Sequence, residues 1–248
     1  MEEQFEKLAG YPKLRTKMGT HYCPGCSHGI IHNLIADVLG ELDIRDRTVG
    51  VGPVGCSGRI FRYLDIDVVS ASHGRAPAVA TGIKRELPDR LVFTYQGDGD
   101  LLAIGISEIL HAAARGEKIT VIFVNNAVYG MTGGQMAPTT ISGQRTSTSH
   151  QGRNTIEMGF PIKGAELLSS FPGVSFITRV AVNHPGNVRK TRQKIRQAFL
   201  NQLFHRGLSL VEILGICPTN WGLNIEDSYK WLKENLIPYY PLGDIKTP

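Results

Sequence analysis

Nothing in the 248 residues approaches the roughly 18 consecutive apolar residues of a membrane span, so a transmembrane helix is excluded. Internal repeats and low-complexity tracts are also missing, and 42% hydrophobic with 20% charged residues is an ordinary globular balance. The start, MEEQFEKLAG, is acidic and has no apolar stretch of the kind a secretory signal needs, so a cytoplasmic chain without a membrane partner is expected. Cysteine is scarce, at four residues. A cytoplasmic chain does not need disulfides, so these thiols are left for metal binding, redox chemistry or plain burial. No helix-turn-helix, zinc-finger or RNP-like pattern accompanies the net charge of +5, so a nucleic-acid partner is not expected.

The basic residues are concentrated in RKTRQKIRQ, Arg189 to Gln197, where Val188, Ile195 and Phe199 recur at helical spacing. That spacing turns the cations mainly to an outer face, a solvated surface in the ordinary reading and a docking face for an acidic partner in the sharper one.

Strand-like and helix-like runs alternate along most of the chain. Strands are expected at 48–52, 67–72, 91–95, 119–126, 174–182 and 208–214, and helices at 28–42, 76–87, 101–116, 162–171 and 187–207. β-Branched runs such as Thr120–Val124 suit strands buried on both faces. The pattern predicts one α/β domain over residues 1–248, a mainly parallel sheet covered by helices on both faces. From Ala127 to Gly159 the periodicity disappears in favour of Gly, Thr, Ser and Gln. A loop that long, placed directly after a strand, is expected to be functional, because ligands of open parallel sheets sit at the carboxyl edge.

Chemistry concentrates at YQGDGDLLAIG, Tyr95 to Gly105. Gly97 and Gly99 let backbone approach a ligand closely, and the helix that follows offers amides suited to a phosphate. Carboxylates at the same place would repel a phosphate unless a divalent cation joins them, and Mg²⁺ takes oxygen ligands from protein and phosphate together. Asp98 is then a metal ligand. The next strand ends in Asn125–Asn126, so Asn126 and a backbone carbonyl near Val128 can supply further oxygens. GDG, helix, strand and NN in this order resemble the motif with which thiamine-dependent enzymes hold Mg²⁺ against the diphosphate of their cofactor.

YCPGCSHG places Cys23 and Cys26 three apart, where both can face one metal centre. Cys56 lies in GPVGCSG after a strand and Cys217 in GICPTNW after the last one. Glycine and proline neighbours suit ligand loops. Four thiolates fit an iron–sulfur cluster or tetrahedral zinc, and a redox dithiol or unrelated cysteines also stay open. One close pair joined by two distant cysteines leans towards a cluster.

Together with SHGRAPAVATGIK and FVNNAVYGMTGGQMAPTT, these motifs make nearly the whole chain resemble the β subunit of a 2-oxoacid:ferredoxin oxidoreductase. The resemblance implies a thiamine diphosphate-binding fold, thiamine diphosphate with Mg²⁺ on Asp98, Asn126 and the Val128 carbonyl, and one 4Fe–4S cluster on Cys23, Cys26, Cys56 and Cys217. It implies that Gly97, Gly99, Asp100, Gly130, Met131 and Thr132 line the diphosphate. Gly55, Ser57, His73, Gly74 and Arg75 would lie near the thiamine rings and the cluster, with His73 and Arg75 in catalytic roles. The implied activity is oxidative decarboxylation of a 2-oxoacid with coenzyme A, giving acyl-CoA, CO₂ and reduced ferredoxin. The glutamate that activates the cofactor's pyrimidine would come from an α subunit, with γ and ferredoxin-like subunits as further partners. A chain of this length has no room for ferredoxin-type clusters of its own. Some 2-oxoglutarate-using relatives carry a lysine after the NN motif, whereas this chain has Gly133 and Gly134. A branched-chain 2-oxoacid such as 2-oxoisovalerate is therefore the favoured substrate, with 2-oxoglutarate the alternative. The rivals are another thiamine enzyme with structural zinc, and a non-enzymatic zinc-bearing module using the Arg189–Arg196 face.

Overall fold

The computed structural model describes residues 10–248. The acidic start, on which the expectation of no secretory signal rests, lies outside the described residues apart from Gly10.

In chain order the elements are α1 (His28–Glu41), β1 (Thr48–Gly52), β2 (Asp67–Ser70), α2 (Ala76–Glu86), β3 (Leu91–Gly97), α3 (Ile106–Arg115), β4 (Thr120–Asn125), β5 (Val128–Tyr129) and β6 (Gln135–Met136). They continue with α4 (Thr155–Met158), α5 (Gly164–Ser169), β7 (Val174–Ala181), α6 (Pro185–Leu203), β8 (Leu208–Leu214), α7 (Pro218–Trp221), α8 (Ile225–Trp231), α9 (Ile237–Tyr239) and β9 (Gly243–Lys246). The strand order is β2-β1-β3-β4-β8-β7-β9, parallel throughout except for β9, which runs antiparallel along β7. The three interior strands with continuous apolar runs, β1, β4 and β8, are buried along their whole length.

Helices cover both faces. On one, Ile31, Ile35 and Leu39 of α1 and Ile195 and Phe199 of α6 pack with Phe93, Ile122 and Ile213 of the sheet. On the other, Ala80 of α2, Ile109 and Ala112 of α3 and Leu168 of α5 meet Val92, Val121 and Leu210. Each of the large side chains so buried contributes about 1.5–3 kcal/mol. A third apolar cluster joins Leu232, Leu236 and Tyr240 to Ala127, Ile141 and Leu214, so the C-terminal segment packs across the carboxyl ends of β4 and β8.

Three expectations change in the structure. The helix expected at 101–116 divides at Gly105 into a wide turn at Asp100–Ile104 and α3. At Gly105 the backbone presses on Gly74, where a Cβ would stand 2.5 Å from the Gly74 carbonyl oxygen. The segment at 127–159, expected as one long functional loop, holds elements of its own, the β5–β6 pair and α4, with a buried Arg153 inside it. The basic face of α6 is largely used internally: Arg192 pairs with Asp37 and Glu41 of α1, Arg196 with Glu41, and Lys194 with Asp244 of β9. Its arginines hold two helices together, which leaves less of the face for an outside partner. No helix among the described residues is long and apolar enough to cross a membrane.

Candidate cofactor and metal site

In a parallel sheet the loops after successive strands gather at one edge. Here β1 leads to Gly55, Cys56 and Ser57, β2 to His73, β3 to Asp98, β4 to Asn126 and Val128, and β8 to Cys217. Cys23 and Cys26 reach the same neighbourhood from just before α1. One cleft at this edge, with a cavity volume of about 100 Å³, is lined by Gly55, Cys56, Ser57, His73, Gly97 and Asp98 on one side. Gly99, Asp100, Asn126, Val128, Gly130, Met131 and Thr132 complete the lining that the sequence predicts. Its further walls, His28, Val54 and Tyr129, were not among the expected residues.

Asp98 is buried, and burial pushes its carboxyl up to about 6 against the pull of hydrogen bonds from Thr139 and backbone amides. Thr139 Oγ1 donates to Oδ2 at 2.7 Å and the Gly99 amide to Oδ1 at 2.9 Å. No cation among the described residues offsets this charge, so a divalent ion suits it. Asn126, almost as buried, receives the Val128 amide on Oδ1 at 3.3 Å, which folds the strand end back on itself beside Asp98. No Cβ is tolerated at Gly99, where it would stand 2.0 Å from the Tyr129 ring. The backbone there is free to approach a diphosphate from the open side.

Asp100 is occupied differently. His73 Nδ1 at 2.5 Å and the Gly74 amide at 2.7 Å donate to Oδ1, and Gln96 Nε2 at 2.6 Å donates to Oδ2. Its carboxylate therefore braces the loop that carries His73 and leaves the ring's Nε2 for the cleft. Gly74 and Arg75 stand outside the lining. Gly74 contributes its amide to Asp100, and the half-exposed Arg75 guanidinium pairs with Glu108 of α3. Thr132 bonds to Gln135 at 2.6 Å, at the exposed rim.

The four cysteines are free thiols that share one electrostatic neighbourhood. Burial, aided by the other cysteines, pushes Cys26 up to about 12 and Cys56 up to about 11, and raises Cys217 as well. Four thiolates could not be held here without a positive centre. A Cβ built on Gly130 would lie 3.4 Å from Cys56 Sγ and 3.7 Å from Cys217 Sγ, so these two sulfurs flank one point. Cys23 and Cys26 are set by a tight turn, the Cys26 amide donating to the Cys23 carbonyl at 3.0 Å. That turn needs Gly25 at φ +76°, packed on Ile225 of α8. No three His, Cys, Asp or Glu side chains among the described residues are grouped to hold a single metal ion. His28, fully buried beside the cysteines, is driven down to about 3 by burial and bonds to the Tyr95 hydroxyl at 2.5 Å.

Comparison with known proteins gives this geometry its relatives. Residues 53–213 match the family described as thiamine pyrophosphate enzyme, C-terminal TPP binding domain. The ketoisovalerate oxidoreductase subunit VorA of Methanothermobacter thermautotrophicus is 44% identical over 246 residues, covering 99% of this chain and 51% of the relative. The chain thus spans about half the length of the ketoisovalerate subunits it matches. The 2-oxoglutarate synthase subunit KorB of Archaeoglobus fulgidus is 40% identical over 223 residues, covering 90% of this chain and 79% of the relative. Among solved structures, a 2-oxoglutarate:ferredoxin oxidoreductase from Magnetococcus marinus, with 2-oxoglutarate, coenzyme A and succinyl-CoA bound, superposes with a TM-score of 0.80 over 96% of this chain and 85% of its own, which at 24% identity speaks for the fold. With a strand edge that gathers GDG, NN and four thiols, this chain belongs to the family described as thiamine pyrophosphate enzyme, C-terminal TPP binding domain, and to the 2-oxoacid:ferredoxin oxidoreductase subunit family.

Proposed function

We propose that this chain is the diphosphate-side, cluster-bearing β subunit of a 2-oxoacid:ferredoxin oxidoreductase, converting a branched-chain 2-oxoacid and coenzyme A to acyl-CoA, CO₂ and reduced ferredoxin. The observation that carries this reading is the position of Cys56. It lines the same cleft as Asp98 and Asn126 while its sulfur shares a neighbourhood with Cys217, so electron acceptance and cofactor binding meet at one residue.

Bound thiamine diphosphate supplies carbanion chemistry, and a 4Fe–4S cluster on Cys23, Cys26, Cys56 and Cys217 accepts electrons singly. The rest is the chain's work. Asp98, the Asn126 side-chain oxygen and the Val128 carbonyl would hold Mg²⁺, and Gly97, Gly99 and Gly130 would leave room for the diphosphate beside them. Gly55 and Ser57 form the wall between that cradle and the cysteines. His73, aligned by Asp100, offers Nε2 to a reacting group, while Arg75 stands at the margin with its guanidinium paired to Glu108.

Substrate choice follows from the lining. No Lys or Arg lines the cleft, whereas the apolar Val54 and Met131 stand at its mouth. Gly133 and Gly134 both have positive φ, so a lysine there would be strained. Among the described residues the lining offers a second carboxylate no cation. The 44% identity to a subunit named for ketoisovalerate supports the same choice. The alternative, 2-oxoglutarate, has its own support in the 40% identity to a 2-oxoglutarate synthase subunit.

The test is elemental and spectroscopic. Anaerobically purified protein is expected to hold about four irons and as much acid-labile sulfide, with a brown absorption that dithionite bleaches. Zinc in their place would end the ferredoxin reading and leave only a thiamine enzyme. Turnover with 2-oxoisovalerate against 2-oxoglutarate in the assembled complex then decides the substrate.

A further inference from the structure

A buried ionic group lies just behind the cleft without lining it. Glu212 of β8 and Arg179 of β7 stand opposite each other in the parallel register, with relative exposures of 0% and 1%. Arg179 Nε donates to Glu212 Oε2 at 2.8 Å, and its Nη atoms fork onto Glu166 of α5 at 2.9 and 2.6 Å. Ion pairs so deep are poor stabilisers relative to apolar packing of the same volume, because both charges lose their water. Their use here must be sought in what else they hold.

Two arms run from this group to the two side-chain oxygens that face Mg²⁺ in the reading above. Along the first, Glu212 Oε1 accepts from Asn125 Nδ2 at 2.8 Å, and Asn125 Oδ1 in turn accepts the Ala127 amide at 3.2 Å. Ala127 sits at φ +58°, a conformation costly for alanine, so this bond holds the sharp turn that presents Asn126 and Val128. Along the second arm, Arg179 Nη1 donates to the Pro241 carbonyl at 3.2 Å and its guanidinium lies 5.3 Å from the Tyr240 ring centre. The Tyr240 hydroxyl donates to the Thr139 carbonyl at 2.8 Å, and Thr139 Oγ1 donates to Asp98 Oδ2.

We propose that Arg179, Glu212 and Tyr240 are positioning residues for the metal site: one buried ion pair sets the NN turn through Asn125 and the Asp98 carboxylate through Tyr240 and Thr139. The inference rests on the Mg²⁺–thiamine diphosphate reading. It goes beyond that reading by giving the two arms a single origin in the sheet.

Manganese(II) is the probe, titrated into the full-length protein with excess thiamine diphosphate and followed by electron paramagnetic resonance. Tyr240→Phe keeps the ring over Arg179 and removes only the hydroxyl. Its Mn²⁺ affinity is expected to fall about 10–100-fold, the usual effect of losing an outer partner of a metal ligand, with iron content and far-ultraviolet circular dichroism unchanged. Glu212→Gln is expected to fall as far, and Thr139→Ser, which keeps the hydroxyl, to bind as the wild type does while Thr139→Val does not. Wild-type Mn²⁺ affinity in Tyr240→Phe, with only its melting temperature lowered, would make the group merely structural and overturn the inference. If Glu212→Gln does not fold, the Tyr240→Phe result decides. Failure of the wild-type protein itself to bind Mn²⁺ with thiamine diphosphate would instead overturn the underlying reading, and the inference with it.

Discussion

Asp98 ionises against its surroundings, since burial holds its carboxyl near 6 where an exposed aspartate would titrate near 3.8. A folded-state pKa above the unfolded one means that the folded chain binds the proton more tightly, so stability is full below pH about 4 and declines as pH rises through about 6. Asp98→Asn removes that penalty. In protein free of thiamine diphosphate and Mg²⁺, the variant is expected to resist urea better than the parent at neutral pH, by at most about 3 kcal/mol, with the gain shrinking towards pH 4. The same variant is expected to lose Mg²⁺-dependent cofactor binding. A variant less stable than its parent at neutral pH would show that the carboxylate is stabilised by contacts this account leaves out. The places of Asp98, Asn126, Cys56 and Cys217 at the sheet edge were legible in the sequence because each sits a short step beyond a strand end, and strand ends are readable from β-branched runs, whereas Cys23 and Cys26, before α1, were marked only by their spacing. Thr139 and Tyr240 were not. The bond between them closes across 101 positions, and nothing in either local sequence marks it.

At the level of elements, period and boundary were readable wherever a run was apolar and regular, as in α1, α2, β3, β4 and β8. They failed where another element's backbone decided the outcome. Gly105 interrupts its helix because Gly74 lies against it, and the segment after Cys217 became α7, α8, α9 and β9 only by packing on the strand ends. The loop at 127–159 is the strongest case. Its sequence lacks periodicity because a single side chain organises it: Arg153 donates to the carbonyls of Thr140 at 2.6 Å, Gly159 at 3.0 Å, Phe160 at 3.0 Å and Pro138 at 3.1 Å. It also reaches Ala137 and Met158, both at 3.4 Å. A polar side chain takes the place of an apolar core, and composition does not reveal that. Arg153→Met fills similar space without donors and strands several buried carbonyls, so a loss of roughly 2–4 kcal/mol is expected. Limited proteolysis should then cut the variant between Ala137 and Phe160 while the sheet survives. Wild-type resistance in that stretch would show that the loop is held by its neighbours and not by Arg153.

On the scale of the whole molecule, the cleft is furnished for one half of a thiamine site. Its two lining aspartates are both engaged, Asp98 by Thr139 and the Gly99 amide and Asp100 by His73, Gly74 and Gln96. Among the described residues no glutamate lines it. The carboxylate that would meet the aminopyrimidine is therefore proposed to come from outside the described lining, and the apolar Val54 and Met131, each 48% exposed, stand at the mouth where a covering surface would close it. The covering surface proposed here is the pyrimidine-side domain of an α subunit, with γ and ferredoxin-like subunits beyond it. The expected outcome is a separation of binding from turnover. Purified alone, the chain should bind thiamine diphosphate with Mg²⁺ and retain its iron, yet reduce neither ferredoxin nor a viologen dye when given 2-oxoisovalerate and coenzyme A. Adding the pyrimidine-side partner should restore reduction, and a Glu→Gln change at the partner's pyrimidine contact should abolish it while leaving assembly intact. Turnover by the isolated chain would mean that it supplies its own activating carboxylate, and the division of labour between the two halves would have to be redrawn.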